Sequence, residues 1–477
     1  MSDVASPPVA SCPECVHLRT LLEAALHRIA ELEAEVRDLR GQLTRNSSNS
    51  STPPSADPPG APKPVVKRPT GRQPSGQPGH PGHHRQRLPA ERVNHLIRYV
   101  PTTCRRCHSP LPDEPAPHDP EPRWHQVAEW PAIAAVVTEH QGHSRTCLAC
   151  GLLNHAEIPA EVRAHVLGPR LAAVMSYFSG RHHNGKRGVQ EIVETVFQVP
   201  VSLGTVAALE QEMSTALAAA HTEAGQAVRE APVQNVDETG GKQAGQKRWL
   251  WAAATATVAF FVIPARRNWE GLQALLGATI QGLVGSDRWS VYNQVALHLR
   301  QLCWAHLQRD FQKCVDRGGS AVAIGQAGLK AVEDVFQLWW DFRQRQVSRA
   351  ALQTGLGPVI QDLQAALERG RDGADGKAAT FCTNVLALYP ALWLFATVEG
   401  VEPTNNHIER LLRSGVLWRK NAFGSHSEGG CRFAMRILTV VQTLRLQKRQ
   451  VVDYLHQALV AHRSGQPAPK LLMTTGD

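Results

Sequence analysis

Apolar side chains recur at Leu18, Leu22, Ala25, Ile29, Leu32, Val36, Leu39 and Leu43, in alternating steps of four and three. A repeat of about 3.5 residues with Glu and Arg between the apolar positions predicts a helix with one hydrophobic stripe. A lone helix of that length is marginal in water, so the stripe needs a partner. The segment after it offers no body to lie on, which leaves a homodimeric coiled coil, parallel or antiparallel, over residues 1–45.

The pattern then breaks. Residues 46–98 open with Asn46-Ser47-Ser48-Asn49-Ser50-Ser51 and continue rich in Pro and Gly, with Lys63, Lys67, Arg68 and Arg72 and the histidines His80, His83 and His84. Such a stretch builds no core and reads as a flexible basic linker. Residues 99–155 carry Cys104-x2-Cys107 and Cys147-x2-Cys150, separated by 39 residues. Each pair presents two thiolates from one tight turn, and two turns complete a tetrahedral zinc site. The gap is longer than usual, and strand-like residues 124–127 and 133–139 suggest an elaborated zinc ribbon, with Arg105 and Arg106 projecting from the first turn toward nucleic acid. Cys12 and Cys15 have no second pair and read as incidental thiols.

Helical periodicity begins near residue 167. Helices at 170–180, 189–197 and 203–217, with Ser202 opening the last, outline a helix-turn-helix within residues 156–229, equally compatible with a plain packing unit.

Residues 233–238 read as a strand ending in Asp237-Glu238-Thr239-Gly240. Strands at 249–255 and 258–264, a helix at 269–276, a strand at 282–287 ending in Asp287, a helical stretch bearing Trp289 and Tyr292, and a strand and helix at 299–304 and 305–314 give the order β-β-β-α-β-α-β. If the first and fourth strands are neighbours, Asp237 and Asp287 face one cleft. Two carboxylates held together repel unless a divalent cation lies between them, and Mg²⁺ favours carboxylate, water and phosphate oxygens. A third acid follows in Glu402-Pro403-Thr404-Asn405-Asn406-His407-Ile408-Glu409-Arg410-Leu411-Leu412-Arg413. There Asn405, Glu409 and Arg413 are spaced to share one helix face, and Arg419 and Lys420 add positive charge beyond. Helices at 322–347, 352–367 and 378–388 form a helical insertion over about 318–400 inside a catalytic domain of 230–450, and 451–477 reads as a C-terminal tail.

Composition narrows the classes. The 477 residues suit about three folded units, and 42% apolar content excludes wholesale disorder. Between Arg45 and Arg106, eleven basic residues face only Asp57 and Glu91, an excess as large as the whole chain's formal charge of +9. A local positive stripe points to a polyanion, with nucleic acid the default. The uncharged run 249–265 is too short to span a bilayer, which takes about 20 residues, so no membrane is expected. Six of ten cysteines in close pairs without an export signal indicate a cytoplasmic, metal-binding protein rather than a disulfide scaffold.

Taken together, the leucine-rich helix, the Asn-Ser tether with Pro53-Pro54-Ser55, Gly76-Gln77-Pro78-Gly79-His80, the paired CxxC motifs, Asp237-Glu238-Thr239-Gly240, Ser286-Asp287-Arg288-Trp289, Gln301-Leu302-Cys303-Trp304-Ala305-His306-Leu307-Gln308-Arg309 and the Glu402–Arg413 segment follow one order. In that order the sequence resembles the insertion-sequence-66 family of bacterial transposases. The residues 241–246 lack a tryptophan expected there. The resemblance implies a ribonuclease-H-like α/β catalytic domain, a DDE triad at Asp237, Asp287 and Glu409, and terminal inverted repeats and target DNA as substrates. It also implies two accessory proteins encoded by the same element. Two Mg²⁺ ions would be held by the triad, with Asp237 bridging, and Zn²⁺ by Cys104, Cys107, Cys147 and Cys150. Arg413 and Lys420 are expected as phosphate clamps, with Arg419 nearby and His306 and Arg309 lining the site. The competing readings are a nuclease on the same sheet that cuts without joining, and a dimeric zinc-containing DNA-binding regulator whose acids are structural.

Overall fold

The computed structural model describes residues 13–50, 87–130, 135–422 and 424–473, and the chain divides into two compact units, Val65–Ala134 and the remainder. Most of the basic linker, Cys12 and the side chain of Cys15 lie outside the described residues.

In the smaller unit the described chain is mostly irregular. The Gln126 side chain clasps the backbone of Leu88, accepting from its N–H at 2.8 Å and donating to its carbonyl at 3.1 Å. Residues 124–127 are not the strand their composition suggests. Pro120, Pro122 and Pro131 surround them, proline gives no ladder hydrogen bond, and no strand pairs with them among the described residues.

The larger unit begins with α1 (Pro13–Leu43), a single unbroken helix. Its apolar stripe stays exposed, Leu22 at 59% and Ile29 at 52%. Its C-terminal end does find a body, contrary to the reading of the sequence: Asp38 binds Arg317 at 2.6 Å and also Lys377, and Asn49 donates to Asp316 at 2.8 Å. The second expected zinc-ribbon strand also fails. Residues 135–139 are irregular, with Val136 97% exposed, while 133 and 134 lie outside the described residues. The pairing comes later, in β1 (Ser144–Thr146) and β2 (Leu153–His155), an antiparallel hairpin around the second CxxC.

Helices α2 (Ala160–Arg163), α3 (Pro169–Gly180), α4 (Lys186–Val196), α5 (Leu203–Ala216) and α6 (Ala218–Glu230) follow. Ser202 caps α5, accepting from the Thr205 N–H at 3.0 Å. The expected helix-turn-helix elements are present, but Val206, Leu209 and Met213 of α5 are buried in the same core as sheet residues Val236, Trp251 and Val284.

The sheet is built from β3 (Val233–Gln243), β4 (Gln246–Ala254), β5 (Ala259–Val262), β6 (Leu283–Ser286) and β7 (Arg300–Leu302), with α7 (Trp269–Leu276) between β5 and β6. Its order is β5-β4-β3-β6-β7; β3, β4 and β5 are antiparallel neighbours, and β6 and β7 run parallel to β3. Two corrections follow. The first strand does not stop at Glu238: its Gly and Gln residues pair with β4 through an Ala244-Gly245 turn, both residues at positive φ as tight hairpins require. The connection from β6 to β7 is made of two short 3₁₀ turns rather than a helix.

Period-two alternation splits β4 between two cores. Trp251 and Ala253 face α3–α7, while Leu250, Ala252 and Ala254 face the other side. Helices α8 (Trp304–Arg317), α9 (Ala321–Arg343), α10 (Arg349–Arg371), α11 (Gly376–Ala387) and α12 (Leu394–Thr397) enclose a separate core around Trp304, Phe311 and Phe395, the last four lying within the residues read as an insertion. The chain then forms α13 (Asn406–Ala422), α14 (Glu428–Leu446) and α15 (Val451–Arg463). Residues 451–463 are therefore no tail: Tyr454, Leu455 and Leu459 are buried in the main core. None of the described helices is long and apolar enough to cross a membrane.

Candidate active site

Strand register decides which side chains meet. Asp237 pairs with Ala252, so it shares the face of β4 that packs on α13; Glu238 pairs with Trp251 and faces the opposite, aromatic side. In the parallel pair, Asn235 stands beside Gly285. Two residues on from each, Asp237 and Asp287 occupy equivalent positions on the same side, where β6 ends. Glu409 arrives from the first turn of α13, a helix packed across β3 and β4 by Ile408 and Leu412.

The Asp237 carboxyl feels its acidic neighbours. Burial, and then the charges of Glu238, Asp287 and Glu409, push the Asp237 carboxyl well above the usual carboxylate range, against one favourable bond from the Glu238 N–H at 2.9 Å. Among the described residues, no Lys or Arg forms an ion pair with Asp237, Asp287 or Glu409; Glu409 has only His306, at 3.6 Å. The neighbouring cations are engaged elsewhere. Arg288 pairs with Asp310 at 2.7 Å, and Arg267 pairs with Glu238. An acidic cluster without a cationic partner, with one carboxylate oxygen of Glu409 buried and unbonded, offers the hard oxygen donors that magnesium takes.

Several supports carry no obvious sequence signature. Arg300 on β7 is fully buried, and its guanidinium donates to the Asp287 carbonyl at 2.9 Å, Asn293 Oδ1 at 2.7 Å and Ser286 Oγ at 3.3 Å. Burial lowers its pKa to about 10 even with Asp287 and Tyr292 nearby. It fixes the backbone from which Asp287 projects. Glu238 is held by Arg267 and by the Tyr292 hydroxyl, and Arg267 stacks over Trp289 at 3.8 Å. Asn405 immediately precedes α13, its carbonyl accepting from the Glu409 N–H at 3.3 Å. It is buried, donating to the Val236 carbonyl at 2.7 Å while its own N–H points at Cys303 Sγ, 3.2 Å away. It ties the start of α13 to the strand carrying Asp237.

The expected phosphate contacts separate. Arg413 and Lys420 are exposed on α13. Arg419 instead turns inward, donating to the Gly240 carbonyl at 2.6 Å and to Thr239 Oγ1 at 3.3 Å, and so braces the β3–β4 hairpin. Arg309 and His306 are half-buried on α8. Burial, with Arg309 adding to it, lowers the His306 pKa, and its Nδ1 faces Glu409 rather than solvent.

Each CxxC is a knuckle of the same construction. The Cys104 N–H donates to the Ser109 carbonyl at 2.9 Å and its carbonyl accepts from His108; the Cys147 N–H donates to Leu152 at 2.8 Å and its carbonyl accepts from Gly151. His108 and Gly151 both adopt positive φ. The Ser109 hydroxyl beside Cys107 lowers its pKa to about 7, and the Cys150 backbone lowers that of Cys147, which favours the thiolates that soft cations bind.

The mixed sheet thus carries Asp237 and Asp287 at adjacent positions of the parallel pair β3 and β6, with Glu409 brought in by the helix packed across it. Residues 165–432, which include all three acids, match the Transposase IS66 family, and the chain belongs to that family. Residues 6–86 match a family of unknown function, DUF6444. The chain is similar to the uncharacterized protein y4qI of Sinorhizobium fredii (strain NBRC 101917 / NGR234), 27% identical over 247 residues that cover 47% of this chain and 46% of that protein. The match thus spans just under half the length of that relative.

Proposed function

We propose that the chain is a DDE-type transposase that cleaves the DNA ends of its element and joins them to target DNA. The observation that carries this reading is the meeting of three carboxylates, from β3, the end of β6 and α13, with no Lys or Arg paired to them among the described residues. The sheet order β5-β4-β3-β6-β7, three antiparallel strands followed by two parallel ones, supports a ribonuclease-H-like catalytic domain.

Asp237, Asp287 and Glu409 would hold two Mg²⁺ ions. When bound, such a pair activates a water or DNA 3′-hydroxyl and stabilises the leaving oxygen. The chain's own residues do the rest. Arg300 holds the Asp287 backbone, Asn405 holds α13 against β3, and Glu238 locks the other face of the strand through Tyr292 and Arg267. Arg413 and Lys420 lie on the exposed side of the same helix as Glu409, suited to strand phosphates. Zinc held by Cys104, Cys107, Cys147 and Cys150 is supported by the matching backbone bonds of the two knuckles, each by itself. Self-association through α1 is supported by its exposed apolar stripe.

The test is cleavage and strand transfer by Asp237→Asn on a DNA fragment carrying the element's ends. Loss of both with DNA binding retained is expected, and near-normal cleavage in Mg²⁺ would remove the assignment. Cleavage by the unaltered protein without any joined product from pre-cleaved ends would favour a nuclease instead. DNA binding with no cleavage, indifferent to chelation, would favour a regulator.

A further inference from the structure

Beside the acidic cluster lies a group of a different chemical character. Cys303, His306 and Glu409 each offer one ligand atom, and those atoms all lie within 4.8 Å of one another. His306 Nδ1 and Glu409 Oε1 stand 3.6 Å apart, too far for a hydrogen bond, and both are buried without any hydrogen-bond partner. Two buried, facing, unbonded polar atoms cost the fold unless something joins them. A tetrahedral site with bonds of about 2.0–2.3 Å sets its ligands roughly 3.3–3.8 Å apart, so the His306–Glu409 separation already fits a shared cation.

The sulfur completes the set. Cys303 sits at the N-terminus of α8, and the Asn405 N–H points at its sulfur from 3.2 Å. A backbone amide directed at a sulfur in this way suits a metal thiolate.

We propose that Cys303 Sγ, His306 Nδ1 and Glu409 Oε1 form a site for one zinc-class divalent cation, and that zinc held there withdraws Glu409 from the acidic cluster. The sulfur and nitrogen donors select a borderline-soft ion over magnesium. As the metal–sulfur bond forms, the Cys303 thiol proton is released to solvent. The binding half of this proposal is independent of the catalytic reading; the withdrawal half rests on Glu409 serving the DNA reaction.

The experiment measures zinc bound per chain by elemental analysis of the full-length protein equilibrated with zinc and then dialysed. The unaltered protein is compared with Cys303→Ser, His306→Ala and Glu409→Gln, each checked for folding by circular dichroism. Zinc on the CxxC turns is common to all four proteins and cancels in the difference. The unaltered protein is expected to hold one more zinc than each folded variant. Equal zinc content in the folded variants would overturn the site, and three conservative positions guard against one of them misfolding. In a second arm, zinc is titrated into Mg²⁺-supported DNA cleavage. Inhibition relieved by excess Mg²⁺ supports the withdrawal of Glu409. A zinc difference without such competition overturns the withdrawal while the zinc site stands, and absence of any Mg²⁺-dependent cleavage marks failure of the transposase reading itself.

Discussion

Gly415 sets the distance between the helix of Glu409 and the sheet. A Cβ added there would lie 2.1 Å from Leu250 Cδ2, where ordinary contact begins at 3.4 Å. Leu250 is 2% exposed and packed among Ile408, Leu412 and Leu438, so its methyl has nowhere to go. In Gly415→Ala, α13 must therefore lift from β4 by an amount on the order of 1 Å at the contact. Glu409 lies six residues, about 9 Å, along the same helix axis, and is carried with it. Overpacking costs about 1–3 kcal/mol, offset by about 1 kcal/mol from replacing glycine inside a helix. The net loss in urea unfolding is then small, about 0–2 kcal/mol. Cleavage suffers more, because a displacement near 1 Å of a positioned group costs on the order of 100-fold. The assay is Mg²⁺-dependent nicking of an end-bearing DNA fragment beside urea unfolding of the same preparations. Leu250→Val removes the obstructing Cδ2 and in combination with Gly415→Ala should recover most of the lost rate. Nicking by Gly415→Ala within about threefold of the unaltered protein, a difference below 1 kcal/mol in barrier, would refute this account, as would failure of the double variant to recover.

Asp237→Asn should stabilise the metal-free fold near neutral pH. A carboxyl whose folded pKa is raised contributes stability below its unfolded pKa and loses it as pH rises through the folded value. Thermal melts in chelator should therefore diverge with rising pH, the Asn variant melting higher, and converge in acid; a parallel pH dependence would contradict the cluster. Arg300→Met removes the donor to Ser286 Oγ and Asn293 Oδ1 and leaves the Asp287 carbonyl with the Ser286 hydroxyl alone of its two donors, and should cost about 3 kcal/mol in urea unfolding, with cleavage falling further than stability explains. Leu22→Glu with Ile29→Glu puts charge into the exposed stripe of α1. Sedimentation should then show a smaller oligomer with the circular dichroism of the remainder retained, whereas an unchanged oligomer would remove α1 as the contact.

What the sequence made legible was local or punctuated. The heptad stripe, the strand pair 249–264, the helical insertion and the three acids each follow from period, breakers or residue chemistry within a short window. What it hid depends on partners far along the chain. Strand β3 runs on past Glu238 because β4 pairs with its polar end, and no apolar alternation announces that. Residues 124–127 have strand composition without a partner, and 451–463 look like a tail until α3 and α5 supply the surface they cover. Nothing in the sequence marks Arg300 for burial; Ser286, Asp287 and Asn293, which accept from its guanidinium beside the β6–β7 pairing, account for it.

The anchors of the acidic cluster explain how a fold tolerates it. Among the described residues no Lys or Arg neutralises any of the three acids, so repulsion and burial at Asp237 act against the folded state. The opposing stability comes from separate places: β3 is held by β4 and by Glu238 on its far face, Asp287 by the buried Arg300, and Glu409 by the Ile408–Leu412 side of α13 and by Asn405 at its start. Because each acid is positioned through its own backbone anchor rather than through its charge, removing a charge should relieve the fold, whereas removing an anchor should damage fold and site together. That opposition in sign, Asp237→Asn stabilising and Arg300→Met destabilising while both lose cleavage, separates a site built to receive cations from an ordinary buried polar cluster, in which both changes would destabilise.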